Sequence, residues 1–135
     1  MKHLHSWDVL ARSCIDGRFI KRTVDWIASH TGEIFDFRTG IGSTWELIED
    51  RHEQASFFEV IDTSIKLHKI KQVWIADHID CGAYGGSKRF DYNKTKEKAF
   101  HVKKLREAEK LILDEFPDLK VIKLYVDWES VTEVE

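Results

Sequence analysis

One stretch of the sequence decides the predicted fold, and it reads Gln72-Val73-Trp74-Ile75-Ala76-Asp77-His78-Ile79-Asp80-Cys81-Gly82. Its first part, 72–77, is a short apolar run with the length and composition of a buried strand. A histidine and a cysteine follow, three positions apart, at the point where that strand ends. A strand buried on both faces is typical of a parallel sheet covered by helices. The rest of the chain is therefore expected to alternate strands with helices.

That alternation is found on both sides of the stretch. Before it, the residue pattern predicts a strand over 7–14, a helix over 19–30 stopped by Gly32, a strand over 33–38, a turn over 39–42 and a helix over about 54–68. After it, the pattern predicts a polar, glycine-rich segment over 82–95, a long amphipathic helix over 96–116 and a strand over 120–126. The predicted fold class is α/β, with a central, mostly parallel four-stranded sheet flanked by helices.

Bulk properties limit the function classes. The chain has 135 residues, a single Pro and no low-complexity linker, so residues 1–135 are expected to form a single α/β domain. A net charge of −3 favours neither nucleic acid nor an anionic membrane as a partner. No apolar stretch approaches the ~20 residues that span a bilayer, and the N-terminus has no apolar signal-peptide core. We expect a cytoplasmic protein.

The expected zinc site rests on the only two cysteines, each of which lies in a motif at a predicted strand end. Cys14 lies in Cys14-Ile15-Asp16-Gly17-Arg18, and Cys81 follows His78. Parallel α/β sheets bind ligands at the carboxyl ends of their strands, and two thiolates with one imidazole suit Zn²⁺. We predict Cys14, His78 and Cys81 as zinc ligands, so residues 1–135 would form a single zinc-binding α/β domain. Three protein ligands leave a fourth position for water, an Asp or a substrate, as in catalytic sites.

Asp16 and Arg18 lie next to Cys14 in the sequence and are expected beside the zinc site. The sequence leaves two roles open for Asp16. Arg18 would hold Asp16 ionised, so that Asp16 accepts a hydrogen bond from zinc-bound hydroxide. Alternatively, Asp16 coordinates zinc itself as a fourth ligand. A simple surface ion pair, worth little energetically, is the structural alternative. A dinucleotide-binding turn at Gly40-Ile41-Gly42 is not favoured, because Trp45 replaces its third glycine.

These motifs resemble a known family. Cys14-x-Asp16-x-Arg18 and His78-x-Asp80-Cys81-Gly82-Ala83 are similar to the two zinc-site signatures of the β-class carbonic anhydrases, and the likeness runs from about Val9 to Val126. The resemblance implies Zn²⁺ on Cys14, His78 and Cys81, an Asp16–Arg18 catalytic dyad, and Gly82 as a backbone donor near the substrate. It also implies a mostly parallel α/β fold built into dimers or larger assemblies.

The implied activity is the reversible hydration of carbon dioxide to bicarbonate through zinc-bound hydroxide. Two alternatives stay open: a non-catalytic, zinc-stabilised binding domain, and a hydrolase of carbonyl sulfide or carbon disulfide on the same site. The chain departs from the family pattern at Gly17, where Ser is common, and at Asp77, where Gly is usual. Exposed aromatic residues and sheet edges predict at least a homodimer, with the strand over 33–38 as an interface element.

Overall fold

The computed structural model describes residues 5–135. Its elements in chain order are β1 (Val9–Cys14), α1 (Gly17–Thr31), β2 (Asp36–Gly40), α2 (Thr44–Glu49), α3 (Arg51–His68), β3 (Gln72–His78), two short 3₁₀ turns (Gly82–Tyr84 and Ser87–Phe90), α4 (Lys94–Glu115), β4 (Lys120–Val126) and β5 (Val131–Val134). The strands form one sheet in the order β2-β1-β3-β4-β5. All neighbours pair in parallel except β4 and β5, which are antiparallel.

The predicted α/β class and the mostly parallel sheet are confirmed, but the count of four strands is corrected to five over residues 5–135. The additional strand is β5, which follows a tight turn in which Asp127 Oδ1 accepts hydrogen bonds from the backbone N–H groups of Glu129 and Ser130. The sequence signal for β5 is weak, because the strand has only four residues and lies at the end of the chain.

The second strand starts three residues later than predicted and ends two residues later. Gly32 and Glu33 both have positive φ angles and both donate their backbone N–H to the carbonyl of Ala28, so these residues end α1 instead of starting β2. The strand runs through Gly40, which pairs with Cys14. The alternation of apolar and charged residues over 33–38 is typical of a strand. The hydrogen bonds that close α1 nevertheless hold Gly32 and Glu33 in a helix-ending conformation.

Helices cover both faces of the sheet. Leu10, Val73 and Ile75 face one side and pack against α3 and α4, through residues such as Phe57 and Leu105. The alternate strand residues face the other side and pack against Phe19 and Ile27 of α1. Burial on both faces explains the short apolar runs within β1, β3 and β4. The arrangement also brings the carboxyl ends of β1 and β3 side by side.

Candidate metal centre

The ends of β1 and β3 bring three metal-ligating side chains together. Cys14 is the last residue of β1, His78 is the last residue of β3, and Cys81 follows after a two-residue turn. One ligand atom from each residue lies within 4.8 Å of the others. His78 and Cys81 are buried, and Cys14 is partly exposed. We call these three residues the Cys–His–Cys cluster; its two cysteines are free thiols and not a disulfide.

The tautomer of His78 leaves one nitrogen free to bind a metal. Nδ1 lies 2.6 Å from the carbonyl oxygen of Ile79 and donates to it, which leaves the lone pair on Nε2. Nε2 is buried and has no hydrogen-bond partner among residues 5–135. The ring stacks on Phe19, with centroids 4.5 Å apart, so its orientation is set by packing. Metal-binding histidines commonly have a second nitrogen held in this way, and the donor set fits a zinc ion.

The contact between the two thiols favours ionisation of Cys14 over ionisation of Cys81. A hydrogen bond with the neighbouring Cys81 thiol lowers the pKa of Cys14, and the burial of Cys14 only partly opposes this effect. The same contact raises the pKa of Cys81, which burial raises further. Burial alone would lower the pKa of His78, but its contacts with Cys14 and the Ile79 carbonyl outweigh burial, so the pKa is raised. The cluster therefore holds negative charge at Cys14, where a cation would be stabilised.

Asp16 and Arg18 lie beside the cluster as a bidentate pair. Arg18 Nε lies 3.0 Å from Asp16 Oδ1, and Arg18 Nη2 lies 2.7 Å from Asp16 Oδ2. Asp16 also caps α1, because Oδ1 accepts from the backbone N–H of Arg18. These hydrogen bonds to Arg18 lower the pKa of Asp16 to about 2. Asp16 Oδ2 lies 3.8 Å from His78 Nε2, so the carboxylate borders the cluster while remaining bonded to Arg18.

Gly82 opens the first 3₁₀ turn directly after Cys81. A Cβ atom at this position would meet nothing within 4 Å, so the space beside the backbone is open. The neighbouring Ala83 is approached closely by the turn between β2 and α2, because a Cβ on Gly42 would lie only 2.6 Å from the Ala83 Cβ. The start of the glycine-rich segment is thus packed against the turn between β2 and α2.

A buried hydrogen-bond network behind the cluster was not anticipated from the sequence. Asp77, directly before His78, is 2% exposed and accepts hydrogen bonds from the backbone N–H and the hydroxyl of Thr44, at 3.2 and 2.8 Å. His101 Nδ1 lies 2.7 Å from the same carboxylate, and Tyr84 bonds to Thr44. The network joins α2, β3, α4 and the turn after Cys81. Its only sequence signal is an acidic residue at the end of an apolar strand.

Other histidines lie outside the cluster. His30, in the last turn of α1, stacks on Trp26, and His68, the last residue of α3, bonds to Asp36. His52 is exposed at the start of α3. Within residues 5–135, no helix is both long enough and apolar enough to cross a membrane.

Comparisons with known proteins found one matching family and several similar proteins. Residues 6–135 match the family described as "Putative carbonic anhydrase". An uncharacterized protein of Rickettsia conorii is 32% identical over 98% of this chain and 74% of its own length. An uncharacterized protein of Rickettsia bellii is also 32% identical, over 98% of this chain and 84% of its own.

Two solved structures have a similar fold. The β-carbonic anhydrase CafA of the fungal pathogen Aspergillus fumigatus matches 97% of this chain and 76% of its own, with a TM-score of 0.64 and 15% identity. One of two tetrameric β-carbonic anhydrases from the filamentous ascomycete Sordaria macrospora matches 96% of this chain and 81% of its own, with a TM-score of 0.66 and 12% identity. At these identities the likeness concerns the fold alone.

Proposed function

This chain belongs to the carbonic anhydrase family that its residues 6–135 match, and from that premise we propose that it is a zinc enzyme that reversibly hydrates carbon dioxide to bicarbonate. The family membership confirms the resemblance seen in the two motifs. The observation that carries the proposal is the convergence of Cys14, His78 and Cys81 within 4.8 Å, with the Nε2 lone pair of His78 free. Membership of this family supports carbonic anhydrase activity as the chemistry of that cluster.

Cys14, His78 and Cys81 would hold the zinc ion and leave one position open. When bound in such a site, zinc lowers the pKa of a water molecule towards about 7 and so supplies hydroxide as a nucleophile at neutral pH. The Cys81 thiol must lose its proton on metal binding, so zinc uptake is expected to release protons and to weaken in acid.

The Asp16–Arg18 pair would orient the nucleophile. Asp16 stays ionised because Arg18 lowers its pKa to about 2, so at neutral pH it can only accept a hydrogen bond. An acceptor fixed beside the open position would hold the nucleophile's hydrogen away from the incoming carbon. Gly82, which borders open space after Cys81, would present its backbone N–H to an oxygen of carbon dioxide or bicarbonate.

Self-association and location follow as parts of the same proposal. β2 is an edge strand, and Ile34 and Ile41 at its two ends are more than half exposed. A homodimer or larger assembly would cover this edge, and tetrameric proteins share the fold. Two free thiols as zinc ligands are suited to a reducing cytoplasm. Light scattering after gel filtration at micromolar concentration tests the assembly, and a clean monomer would refute it.

The test of function is a stopped-flow assay of carbon dioxide hydration between pH 6 and 9, with zinc content measured on the same samples. The wild-type protein should carry one zinc per chain, and kcat/KM should rise with pH. Cys14→Ser and His78→Asn should each lose zinc and at least 100-fold in activity, because each removes a ligand. His52→Asn is the matched control on an exposed histidine and should change neither.

Two outcomes would separate the alternatives. Full zinc without hydration of carbon dioxide at any pH would refute the proposal and favour a non-catalytic, zinc-stabilised binding domain. Sulfide release from carbonyl sulfide or carbon disulfide, with no hydration of carbon dioxide, would keep the site but change the substrate.

A further inference from the structure

Arg18 has a second carboxylate partner besides Asp16. Its Nη1 lies 3.0 Å from Asp80 Oδ2, and its Nη2 lies 3.1 Å from the backbone carbonyl oxygen of Asp80. All three guanidinium nitrogens are therefore engaged, Nε and Nη2 with Asp16 and Nη1 and Nη2 with Asp80. Asp80 lies between His78 and Cys81, so this contact ties the start of α1 to the loop that carries two of the three cluster residues.

Asp80 is itself held rigidly from the opposite side. Its Oδ1 accepts a hydrogen bond of 2.8 Å from the backbone N–H of Ser87, and its own N–H donates to Glu97 Oε2 at 2.7 Å. Glu97 is 1% exposed on α4 and also accepts from the Ser87 hydroxyl. Asp80 adopts a left-handed backbone conformation, with φ of 57°, which Asp and Asn tolerate. The chain of contacts thus runs from buried Glu97 through Asp80 to Arg18.

Without the Asp80 carboxylate, Arg18 Nη1 would lose its hydrogen-bond partner. The Arg18 side chain is 47% exposed, and besides the two carboxylates and the Asp80 carbonyl oxygen it lies against the ring faces of Phe19 and Trp128. Asp16 Oδ2 lies 3.8 Å from His78 Nε2, so a small movement would bring the carboxylate to the metal position. A mobile Arg18 could follow Asp16 in that movement, whereas an anchored Arg18 cannot.

We propose that Asp80 is a positioning residue that anchors Arg18 and thereby keeps Asp16 bonded to Arg18 and off the open metal position. This inference rests on the proposed zinc site. Of the two states that the sequence leaves open, Asp16 then acts as a hydrogen-bond acceptor beside the metal and not as its fourth ligand. The residue that decides between these states is Asp80, which lies outside the Asp16–Arg18 pair.

The test substitutes Asp80→Asn. The amide oxygen can still accept from Ser87 and the residue still tolerates the left-handed conformation, but an NH₂ group now faces Arg18 Nη1. Asp91→Asn is the matched control, since it removes one negative charge from an exposed residue of the same segment that also has a positive φ, of 51°. Asp80→Gly is the second variant, because glycine adopts this conformation without strain.

The measurement uses cobalt-substituted protein, whose visible spectrum reports the metal's coordination. Azide is titrated as a small anion that needs the open position, and metal affinity is measured by competition with a chromophoric chelator. In both Asp80 variants, azide should bind about tenfold more weakly, while the metal should bind as tightly as in wild type or more tightly, because Asp16 now competes for the position. Hydration of carbon dioxide by the zinc form should fall in parallel, and Asp91→Asn should match wild type.

Four other outcomes would overturn the inference, the proposed function or both. Azide affinity within twofold of wild type in both Asp80 variants would show that Asp80 does not control the open position. Weaker metal binding together with a lower melting temperature would show a purely structural role. If wild-type protein takes up cobalt and binds azide but hydrates no carbon dioxide, the proposed function fails alone. If it takes up no metal, both fail.

Discussion

Replacing Asp77 by Asn should destabilise the domain measurably, although the two side chains have nearly the same shape. Asp77 Oδ2 accepts from the Thr44 hydroxyl and from His101 Nδ1, and Oδ1 accepts from the Thr44 N–H. In either orientation, the amide NH₂ of Asn would face a donor in a site that is 2% exposed. A buried donor left without a partner costs about 1–3 kcal/mol, so we expect a loss of about 2 kcal/mol.

That loss converts to a shift in melting temperature. An unfolding entropy of about 2.1 cal/mol/K per residue gives roughly 0.28 kcal/mol/K for this chain, and hence a decrease of about 7 °C. Calorimetry should be done on metal-free protein, because bound metal would stabilise the folded state separately. The control is Asp62→Asn, which breaks only an exposed pair with Lys66 on α3. It should lower the melting temperature by less than about 2 °C.

The result that would refute the reasoning is a melting temperature of Asp77→Asn within 1 °C of wild type. The network would then be satisfied in some other way, for example by a change of the His101 tautomer. A large decrease in both variants would also contradict it, because the loss would then follow from removing any carboxylate and not from an unpaired donor in the buried network.

Two further predictions concern the turns that frame the site. The N–H groups of Glu129 and Ser130 outweigh the effect of burial and lower the pKa of Asp127 below its ordinary value, so this carboxylate stabilises the fold above the ordinary pKa of an aspartate and loses its effect as pH falls through its own lowered pKa. Urea unfolding should show wild type about 1 kcal/mol more stable than Asp127→Asn at pH 6 and equal to it at the lowest pH, and a constant difference would contradict this. Gly42→Ala should cost about 2 kcal/mol or more, because φ is +66° and the new Cβ would lie 2.6 Å from that of Ala83. Gly17→Ala, with open space around it, should be neutral or slightly stabilising by the same thermal assay, and equal effects at both glycines would refute the steric argument.

The main elements of the fold could be read from the sequence because their signals are local. The apolar run over 72–77 and the helical spacing before Gly32 do not depend on distant residues, and both elements were found there. The start of β2 and the existence of β5 were missed for a physical reason. The backbone N–H of Glu33 takes part in the hydrogen bonds that close α1, and β5 is too short to show a period. In both cases, pairing partners outside the segment decide the outcome.

The sequence by itself determined which residue types meet at the edge of the sheet: two thiols and an imidazole, each at the end of a buried strand. That follows from the parallel order of strands, which brings distant carboxyl ends together. Only the tertiary structure decided how the surrounding carboxylates are used. Asp16 and Asp80 converge on Arg18, and Asp77 faces Thr44 and His101, through contacts up to 62 positions apart in the chain. Such contacts depend on the direction in which each side chain leaves its backbone, and residue spacing does not contain that information.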